Sequence, residues 1–288
     1  MSLIFYAEAC VFTFISIVFI IFSLFAHEFW GHASSMRESG VHVNKIALGL
    51  PYGPQVTFPL KGKWLGTDFV IHYLCPLGAF TEYSEQEMKS LPFWQQSRIH
   101  ASGPMVSLMF GYFFIVLAGF IAIAERPEIN IWYFPHLPFL MVSLISIAIL
   151  GLLLRFGGKN FFTYIMPIVP VALLLFVIGS FFLPGTSVAS PVALVSSAGR
   201  IAELSGSFFF AGNASIIYFG LPMLLPLRLF GIALDGEQII RPIIERCVPR
   251  VLPIIESAGT MAFGLLILYV LQKDLAPIFL PFIRKLLS

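Results

Sequence analysis

Six long apolar stretches dominate this sequence and leave few kinds of fold open to it. Each reaches the roughly 20 residues that a helix needs to cross the hydrocarbon core of a bilayer. Hydrophobic residues make up 58% and charged residues 11% of the 288, which is more apolar side chain than a water-soluble fold can cover with polar groups. We therefore predict an all-α polytopic membrane protein with about six transmembrane helices, at residues 3–26, 103–124, 131–154, 161–183, 207–227 and 251–271.

Charge and cysteine usage narrow the classes of function. The formal net charge of +2 is too small to indicate nucleic-acid binding. Cys10, Cys75 and Cys247 lie far apart, so they indicate neither a disulfide framework nor a thiolate metal site. Lys and Arg concentrate in the loops that lie inside if the amino terminus is outside. With six spans, this distribution predicts that both termini are outside.

The segment 40–100 differs from the apolar stretches. Residues 41–46 and 67–73 alternate β-branched or aromatic residues with polar ones, and Gly and Pro punctuate the segment. This pattern predicts short strands joined by turns. Because strands with open edges cannot face lipid, we expect a small β-structured segment after the first helix. It would lie at the cytoplasmic surface or enter a cavity walled by the helices.

The strongest chemical signal is the string His27-Glu28-Phe29-Trp30-Gly31-His32, at the inner end of the first stretch. Ionisable side chains at membrane depth are costly, and they usually face a cavity and serve function. Neutral imidazole is a good zinc ligand, and a Glu beside the first His can act as general base on a metal-bound water. We predict His27 and His32 as zinc ligands and Glu28 as the catalytic base. The alternative is that the histidines cap or snorkel at a helix end.

The spacing of these histidines is one residue longer than in the H-E-x-x-H zinc motif. On a regular α-helix, the fifth residue lies about 100° away from the position of the fourth. Both histidines can ligate one ion only if the helix absorbs the extra residue, most simply as a π-bulge. The string resembles the H-E-x-x-x-H helix of the dipeptidyl peptidase III family. That likeness is confined to this string and implies no common fold.

A catalytic zinc site needs a third protein ligand and one position left open for water. The candidate is Asp235, which follows the fifth stretch at the same predicted inner depth as the two histidines. The pair Asp235-Gly236 is also an ordinary turn signal, so alone it carries little weight.

Short motifs along most of the chain occur in a recognisable order. They are His27-Glu28-Phe29 with Gly31-His32-Ala33; Gly40-Val41 leading to Leu48-Gly49; Gly66-Thr67-Asp68-Phe69-Val70-Ile71 followed by Pro76-Leu77-Gly78; Ala101-Ser102-Gly103-Pro104; Ser190-Pro191-Val192-Ala193 with Ser197-Ala198-Gly199 and Ala202-Glu203-Leu204; and Leu224-Leu225-Pro226 ahead of Leu234-Asp235-Gly236. In these motifs the chain resembles the site-2 proteases, and among them the branch of the bacterial regulator of sigma-E protease.

The resemblance implies an intramembrane zinc endopeptidase that cleaves transmembrane segments of single-span proteins in the bilayer of a bacterial inner membrane. It implies zinc held by His27, His32 and Asp235, and substrate binding at Gly49, Gly53, Gly103 and Pro104. Its substrates would be transmembrane proteins such as an anti-sigma factor or a signal-peptide remnant. A substrate helix must unwind before cleavage, and pairing with a strand achieves this. Residues 43–49 and 67–73 are the candidate strands, or they merely cap the cytoplasmic side.

The resemblance also implies one membrane-embedded protease domain over residues 1–288. We expect its parts to be helix 1 with the metal motif, the β-rich segment, helix 2, two additional spans, helix 5 with the Leu-Asp-Gly motif, and helix 6 with a tail, at 1–39, 40–100, 101–124, 131–183, 190–250 and 251–288. The two additional spans stand where the sigma-E branch carries PDZ domains.

The chain departs from the family pattern at both sources of metal ligands. Trp30 lengthens the His motif, and residues 227–233 lengthen the approach to Asp235. Met223 and Ser107 each stand at a position of Asn in the sigma-E branch. Two further hypotheses therefore stay open: an inactive homologue that binds transmembrane helices without cutting them, and a small transporter or metal channel with the His motif on its path.

Overall fold

The structure, a computed structural model, describes residues 3–49, 51, 53–73, 78–125, 137–182, 204–229, 232–261 and 263–264. Most of these residues are helical. The α-helices are α1 (Leu3–Ala26), α2 (Ser34–Glu38), α3 (Glu85–Ser90), α4 (Phe93–Glu125), α5 (Leu137–Phe156), α6 (Ile168–Phe182), α7 (Leu204–Ala214) and α8 (Asp235–Cys247). Three π-helical segments interrupt or extend them, at His27–Ala33, Phe161–Ile165 and Ser215–Gly220. A last helical segment begins at Leu252.

Two helices are long and apolar enough to cross a membrane, Phe14–Glu38 and Phe93–Glu125. A third span is added if Leu140–Phe156 and Phe161–Leu175, which meet at a bend of 108°, are counted as one broken span. The helical membrane architecture is therefore confirmed, whereas the count of six spans stays a prediction. Residues 131–136 and 265–271, which belong to two of the predicted spans, lie outside the described residues.

α4 is the central helix, because it packs against α1, the π-helical segment 27–33, α5, α7 and α8. Glycines allow the closest approaches. A Cβ added at Gly31 would lie 2.6 Å from the Cα of Gly103, and one added at Gly212 would lie 2.7 Å from the carbonyl oxygen of Gly111. Small residues at such crossings are how membrane helices gain packing contacts, since lipid offers no hydrophobic driving force between them.

The predicted β-structured segment forms a four-stranded mixed sheet. Its strands are β1 (Val43–Leu48), β2 (Gln55–Pro59), β3 (Asp68–His72) and β4 (Ala79–Tyr83), in the order β2-β3-β1-β4. β1 and β3 run parallel, and both outer pairs are antiparallel. The alternation of residue types thus predicted β1 and β3 correctly.

The sheet order corrects one prediction. The strands 43–49 and 67–73, expected to pair with substrate, are both interior, and each already has a neighbour on either side. All their ladder hydrogen bonds are therefore made within the sheet, and a further strand can join only at an outer edge. Among the described strands, those edges belong to β2 and β4.

The sheet lies against the inner end of helix 1. Ile46 of β1 is fully buried and belongs to one apolar cluster with Ala33 and Met36, against which Phe29 and Phe69 also pack. This packing brings β4 beside the π-helical segment. The sheet therefore packs directly against the metal motif.

The lengthened approach to Asp235 contains a short antiparallel strand pair, which we call the hairpin. Its strands are β5 (Arg228–Leu229) and β6 (Ile232–Ala233), which pair antiparallel. The backbone N–H of Leu234 donates to the carbonyl of Leu227 at 3.0 Å and closes the hairpin. α8 begins at the next residue, so the extra residues deliver Asp235 at a helix start.

Candidate metal centre

The π-helical segment His27–Ala33 resolves the unusual spacing of the two histidines. It is flanked by regular α-helix on both sides. Because a π-helix forms hydrogen bonds from residue i to i+5, residues five apart lie on one face of it. His27 and His32 accordingly point the same way, and the predicted π-bulge is confirmed. Trp30, the extra residue, is turned outward and is 45% exposed.

Three side chains from two distant parts of the sequence converge at this face. The Nε2 atoms of His27 and His32 are 3.2 Å apart. The carboxylate of Asp235 places Oδ2 at 3.3 Å from Nε2 of His27 and Oδ1 at 3.2 Å from Nε2 of His32. Ligand atoms around a tetrahedral zinc ion with Zn–N bonds of about 2.0–2.1 Å lie about 3.3 Å apart. The three groups could therefore hold a metal ion, and their donor types are among those that bind zinc.

Hydrogen bonds to the other ring nitrogens orient both imidazoles. Nδ1 of His32 lies 2.9 Å from the carbonyl oxygen of Ile99. A carbonyl only accepts, so Nδ1 carries a proton and donates it, and Nε2 points toward the other two groups. Nδ1 of His27 lies 2.8 Å from Oγ of Ser107. Both supporting groups belong to α4, which therefore sets the direction of both rings.

Gly103 of α4 makes room for the two rings. A Cβ at this position would lie 2.2 Å from Nε2 of His32 and 2.6 Å from Nε2 of His27. No side chain fits there without displacing both atoms. The structure thus brings Gly103 into the centre as a packing partner of the imidazoles, and Pro104 beside it is fully buried.

Asp235 is the first residue of α8. The next residue, Gly236, lies so close to the segment before the hairpin that a Cβ would fall 2.2 Å from the carbonyl oxygen of Leu224. Burial raises the pKa of the Asp235 carboxyl, but the charge of His32 and hydrogen bonds from both imidazoles outweigh burial and hold the pKa below its usual range. The carboxyl group is therefore ionised at neutral pH.

Glu28 lies next to the converging ligands and is 8% exposed. Oγ1 of Thr81, on β4, donates a hydrogen bond to its Oε2 at 2.7 Å. Tyr83 follows on the same strand. Burial, and then the charges of Glu85 and Asp235, raise the pKa of the Tyr83 phenol, which keeps it protonated. β4 thus supplies one hydroxyl donor, that of Thr81, to Glu28.

The other two residues predicted to bind substrate, Gly49 and Gly53, lie between two strands of the sheet. Gly49 and Gly53 occupy the connection from β1 to β2 with φ of 87° and 82°, a region that favours glycine. The N–H of Gly49 donates to the carbonyl of Gly78 at 2.8 Å, just before β4. No described contact joins these two glycines to the three converging ligands, so their role in substrate binding stays a prediction.

Sequence reasoning missed several groups around the centre. Thr81 and the carbonyl of Ile99 carried no motif of their own. His100 is buried, with its ring centroid 6.4 Å from that of His32. The available signal was helical spacing, since His100, Gly103 and Ser107 lie at i, i+3 and i+7 on one face of α4.

Comparisons with known proteins agree with this geometry. A search among curated proteins finds no match to the chain. The chain matches peptidase family M50 over residues 15–271. This range includes both histidines, Glu28 and Asp235. Since the match covers most of the sequence, the chain belongs to peptidase family M50, the site-2 protease family of membrane metallopeptidases.

Proposed function

We propose that this chain is a zinc endopeptidase that cleaves transmembrane segments of single-span membrane proteins within the bilayer. The observation that carries the proposal is the convergence of two imidazole nitrogens and one carboxylate, at 3.2–3.3 Å from one another, beside a buried glutamate. In a structural zinc site the protein fills all four positions, whereas three protein ligands are typical of a catalytic one.

His27, His32 and Asp235 would hold the ion in this proposal. Zinc bound there would supply Lewis acidity, which polarises a scissile carbonyl and lowers the pKa of water. The chain supplies the rest of the environment. Ile99 and Ser107 fix the two rings through their Nδ1 atoms, and Gly103 keeps the space between them clear.

Glu28 would be the general base and then the general acid. Thr81 binds its Oε2, and no described residue hydrogen-bonds the other carboxylate oxygen, which can face water. Glu28 takes a proton from the attacking water as the new carbon–oxygen bond forms. It gives that proton to the amine nitrogen as the peptide carbon–nitrogen bond breaks, so the two proton transfers balance.

Exchange of Glu28 for Gln tests this role. Gln keeps an oxygen that can accept from Thr81, and Glu28 is not a proposed ligand, so zinc should stay bound. Cleavage of a co-purified single-span substrate should fall at least about 100-fold, the scale of general acid–base catalysis. Glu38→Gln is the matched control, because Glu38 lies on the same helical run and forms only an exposed ion pair with Arg98.

Two outcomes would overturn parts of the proposal. Cleavage by Glu28→Gln at the wild-type rate would remove Glu28 from the mechanism. Wild-type protein that captures a transmembrane segment without cutting it, and that holds no zinc at saturating concentration, would favour the inactive homologue.

The substrate strand is proposed to pair with the outer edge of β4. Thr81 on this strand bonds Glu28, so a peptide added to the edge passes beside the base. Main-chain pairing holds an unwound substrate extended and exposes its carbonyls. The outer edge of β2 is also unpaired among the described strands, but no described contact links β2 to the three ligands.

Photocrosslinking can distinguish the two edges. A photoreactive phenylalanine analogue placed at Phe80 on β4, in the Glu28→Gln background, should crosslink to a bound substrate segment. The same analogue at Phe58 on β2 is the matched control and should give little product. Crosslinking from Phe58 alone would move the substrate to the far edge of the sheet.

The setting proposed for this reaction is a bacterial inner membrane, with both termini outside and substrates such as an anti-sigma factor or a signal-peptide remnant. The asymmetry of Lys and Arg between the loops supports this orientation. A carboxyl-terminal alkaline phosphatase fusion should be active outside the membrane. An inactive fusion would reverse the orientation.

A further inference from the structure

Four charged side chains form a cluster next to the helix turn that begins with Asp235. They are Arg228, Glu237, Arg241 and Glu256. Glu237, two residues after the ligand, has no exposed side-chain surface. Arg228 of the hairpin donates to it twice, from Nε to Oε2 at 2.7 Å and from Nη2 to Oε1 at 2.8 Å. Arg241, one turn further along α8, donates to Oε1 at 3.1 Å.

The fourth member comes from the last helical segment. Glu256 accepts from Nη2 of Arg228 at 2.6 Å and also from Arg241. Glu245, which is half exposed, also pairs with Arg241 at 3.5 Å, and both oxygens of the buried carboxylate of Glu237 accept from arginine. The buried carboxylate of Glu237 is tolerated because it is paired with arginine. Removing either the carboxylate or the arginine would leave an uncompensated buried charge, which is costly.

The cluster joins three elements around the aspartate. Arg228 belongs to β5, Glu237 and Arg241 belong to α8, and Glu256 belongs to the segment that starts at Leu252. The two hydrogen bonds from Arg228 to Glu237 link the hairpin to the first turn of α8. That turn begins with Asp235.

Asp235 depends on this support because its side chain has no other anchor. Within the described part of the chain, its carboxylate contacts only the two imidazoles. No side-chain cap holds the start of α8 either, since Leu234 stands at the N-cap. The position of the carboxylate is therefore set by the backbone of residues 234–237, and metal affinity requires that position to be kept within about 0.5 Å.

We propose that Arg228 and Glu237 are positioning residues of the metal centre, which hold Asp235 at ligand distance from His27 and His32. In this proposal the lengthened hairpin contributes Arg228, which holds the first turn of α8 in place. The inference rests on the proposed zinc function, and it assigns no contact with substrate to either residue.

The test is the zinc affinity of the purified full-length protein, measured by competition with a chelator. Glu237→Gln removes the negative charge but keeps the size of the side chain. The ion pair with Arg228 is then lost, and the first turn of α8 is held less firmly. We expect zinc affinity to fall about 10–100-fold, as when a group that supports a ligand is removed. Glu245→Gln is the matched control, because Glu245 lies on the same helix and pairs with Arg241 at 3.5 Å but is half exposed. The zinc affinity of Glu245→Gln should equal that of the wild-type protein.

A merely structural role predicts a different pattern. The melting temperature without zinc would fall in Glu237→Gln, but the affinity per folded molecule would equal that of the wild type, and this result would overturn the proposal. If Glu237→Gln does not fold, Arg228→Lys replaces it, since lysine keeps the charge and loses the fork. Arg228→Lys should bind zinc several-fold more weakly, and wild-type affinity in that variant would also overturn the proposal. A wild-type protein without zinc would instead refute the proposed function itself.

Discussion

The helical run that carries the two histidines and the helix that begins with Asp235 are held by different kinds of interaction. The histidine side depends on close packing: Gly31 meets Gly103 across the helix crossing, and single hydrogen bonds from Ile99 and Ser107 orient the rings. The aspartate side depends on charge, through the forked ion pair of the hairpin.

This contrast follows from where the two sides lie. The histidines sit at the end of a long apolar helix, where small residues and shape complementarity bring helices together. Asp235 follows an otherwise apolar hairpin that carries one charged residue, Arg228, and this arginine pairs with Glu237 and Glu256. A steric change should therefore damage the histidine side most, and a charge change should damage the aspartate side most.

The largest expected effect comes from adding one methyl group at Gly103. In Gly103→Ala the new carbon would lie 2.2 Å from Nε2 of His32 and 2.6 Å from Nε2 of His27. Both ligand atoms must move, which is a larger disturbance than the loss of one supporting hydrogen bond. We expect zinc affinity to fall at least about 100-fold, measured by metal analysis after equilibration with a chelator.

Two other glycines separate this effect from general damage. Gly151 of α5 has only Met109 near it, at 3.6 Å from an added Cβ, so Gly151→Ala should change neither folding nor zinc binding. Gly111→Ala would clash with Ile216 at 2.4 Å, away from the ligands. It should lower thermal stability but leave the zinc affinity of the folded protein unchanged. Zinc binding by Gly103→Ala at wild-type strength would show that packing does not control the histidine side.

A smaller effect is expected from Ser107→Ala. This change removes the oxygen 2.8 Å from Nδ1 of His27 and leaves the ring free to turn. Loss of such a supporting group should weaken zinc binding about tenfold. Ser97→Ala is the control on the same helix, because the buried hydroxyl of Ser97 has no hydrogen-bond partner among the described residues. Equal affinities in the two variants would mean that neighbouring packing alone fixes the ring of His27.

The contrast also explains what could be predicted from the sequence. The His motif, the π-bulge and the β-structured segment follow from local spacing, and the structure shows the bulge and the strands where they were expected. Asp235 was found only through an ordered set of motifs, since its approach to the histidines depends on tertiary packing. The match to peptidase family M50 confirms that resemblance.

Other features could not be read from local pattern. In the sheet order, β4 is an outer strand and lies beside Glu28, although its sequence shows no distinctive alternation. The two strands singled out for substrate pairing, β1 and β3, are interior. The partners of Glu237 come from the hairpin and from a segment beyond α8. Such long-range pairings have no local signature. The two additional spans were expected to be joined at residues 155–160, and the bend of 108° between the two helices that meet there was not foreseen.

Deletion of Trp30 should have the smallest effect on the metal centre and would show whether the bulge is needed. A π-bulge is one inserted residue in an α-helix, so removing it restores the H-E-x-x-H spacing and leaves the phase of both flanking helices unchanged. Two histidines four apart still share a helix face, and zinc affinity should stay within about threefold of the wild type.

Stability should respond more than metal binding in this variant. The indole of Trp30 stacks on Phe110, with ring centroids 5.5 Å apart and planes 8° apart, and also contacts Phe22 edge-on. Losing the stack should cost about 0.5–1.5 kcal/mol, seen as a lower melting temperature. Trp30→Ala is the control, because it removes the ring but keeps the bulge, and should lose similar stability with unchanged affinity. Loss of zinc on deletion, but not in Trp30→Ala, would show that the ligands reach Asp235 only through the π-helical geometry, so that the spacing of the histidines and the length of the hairpin are matched.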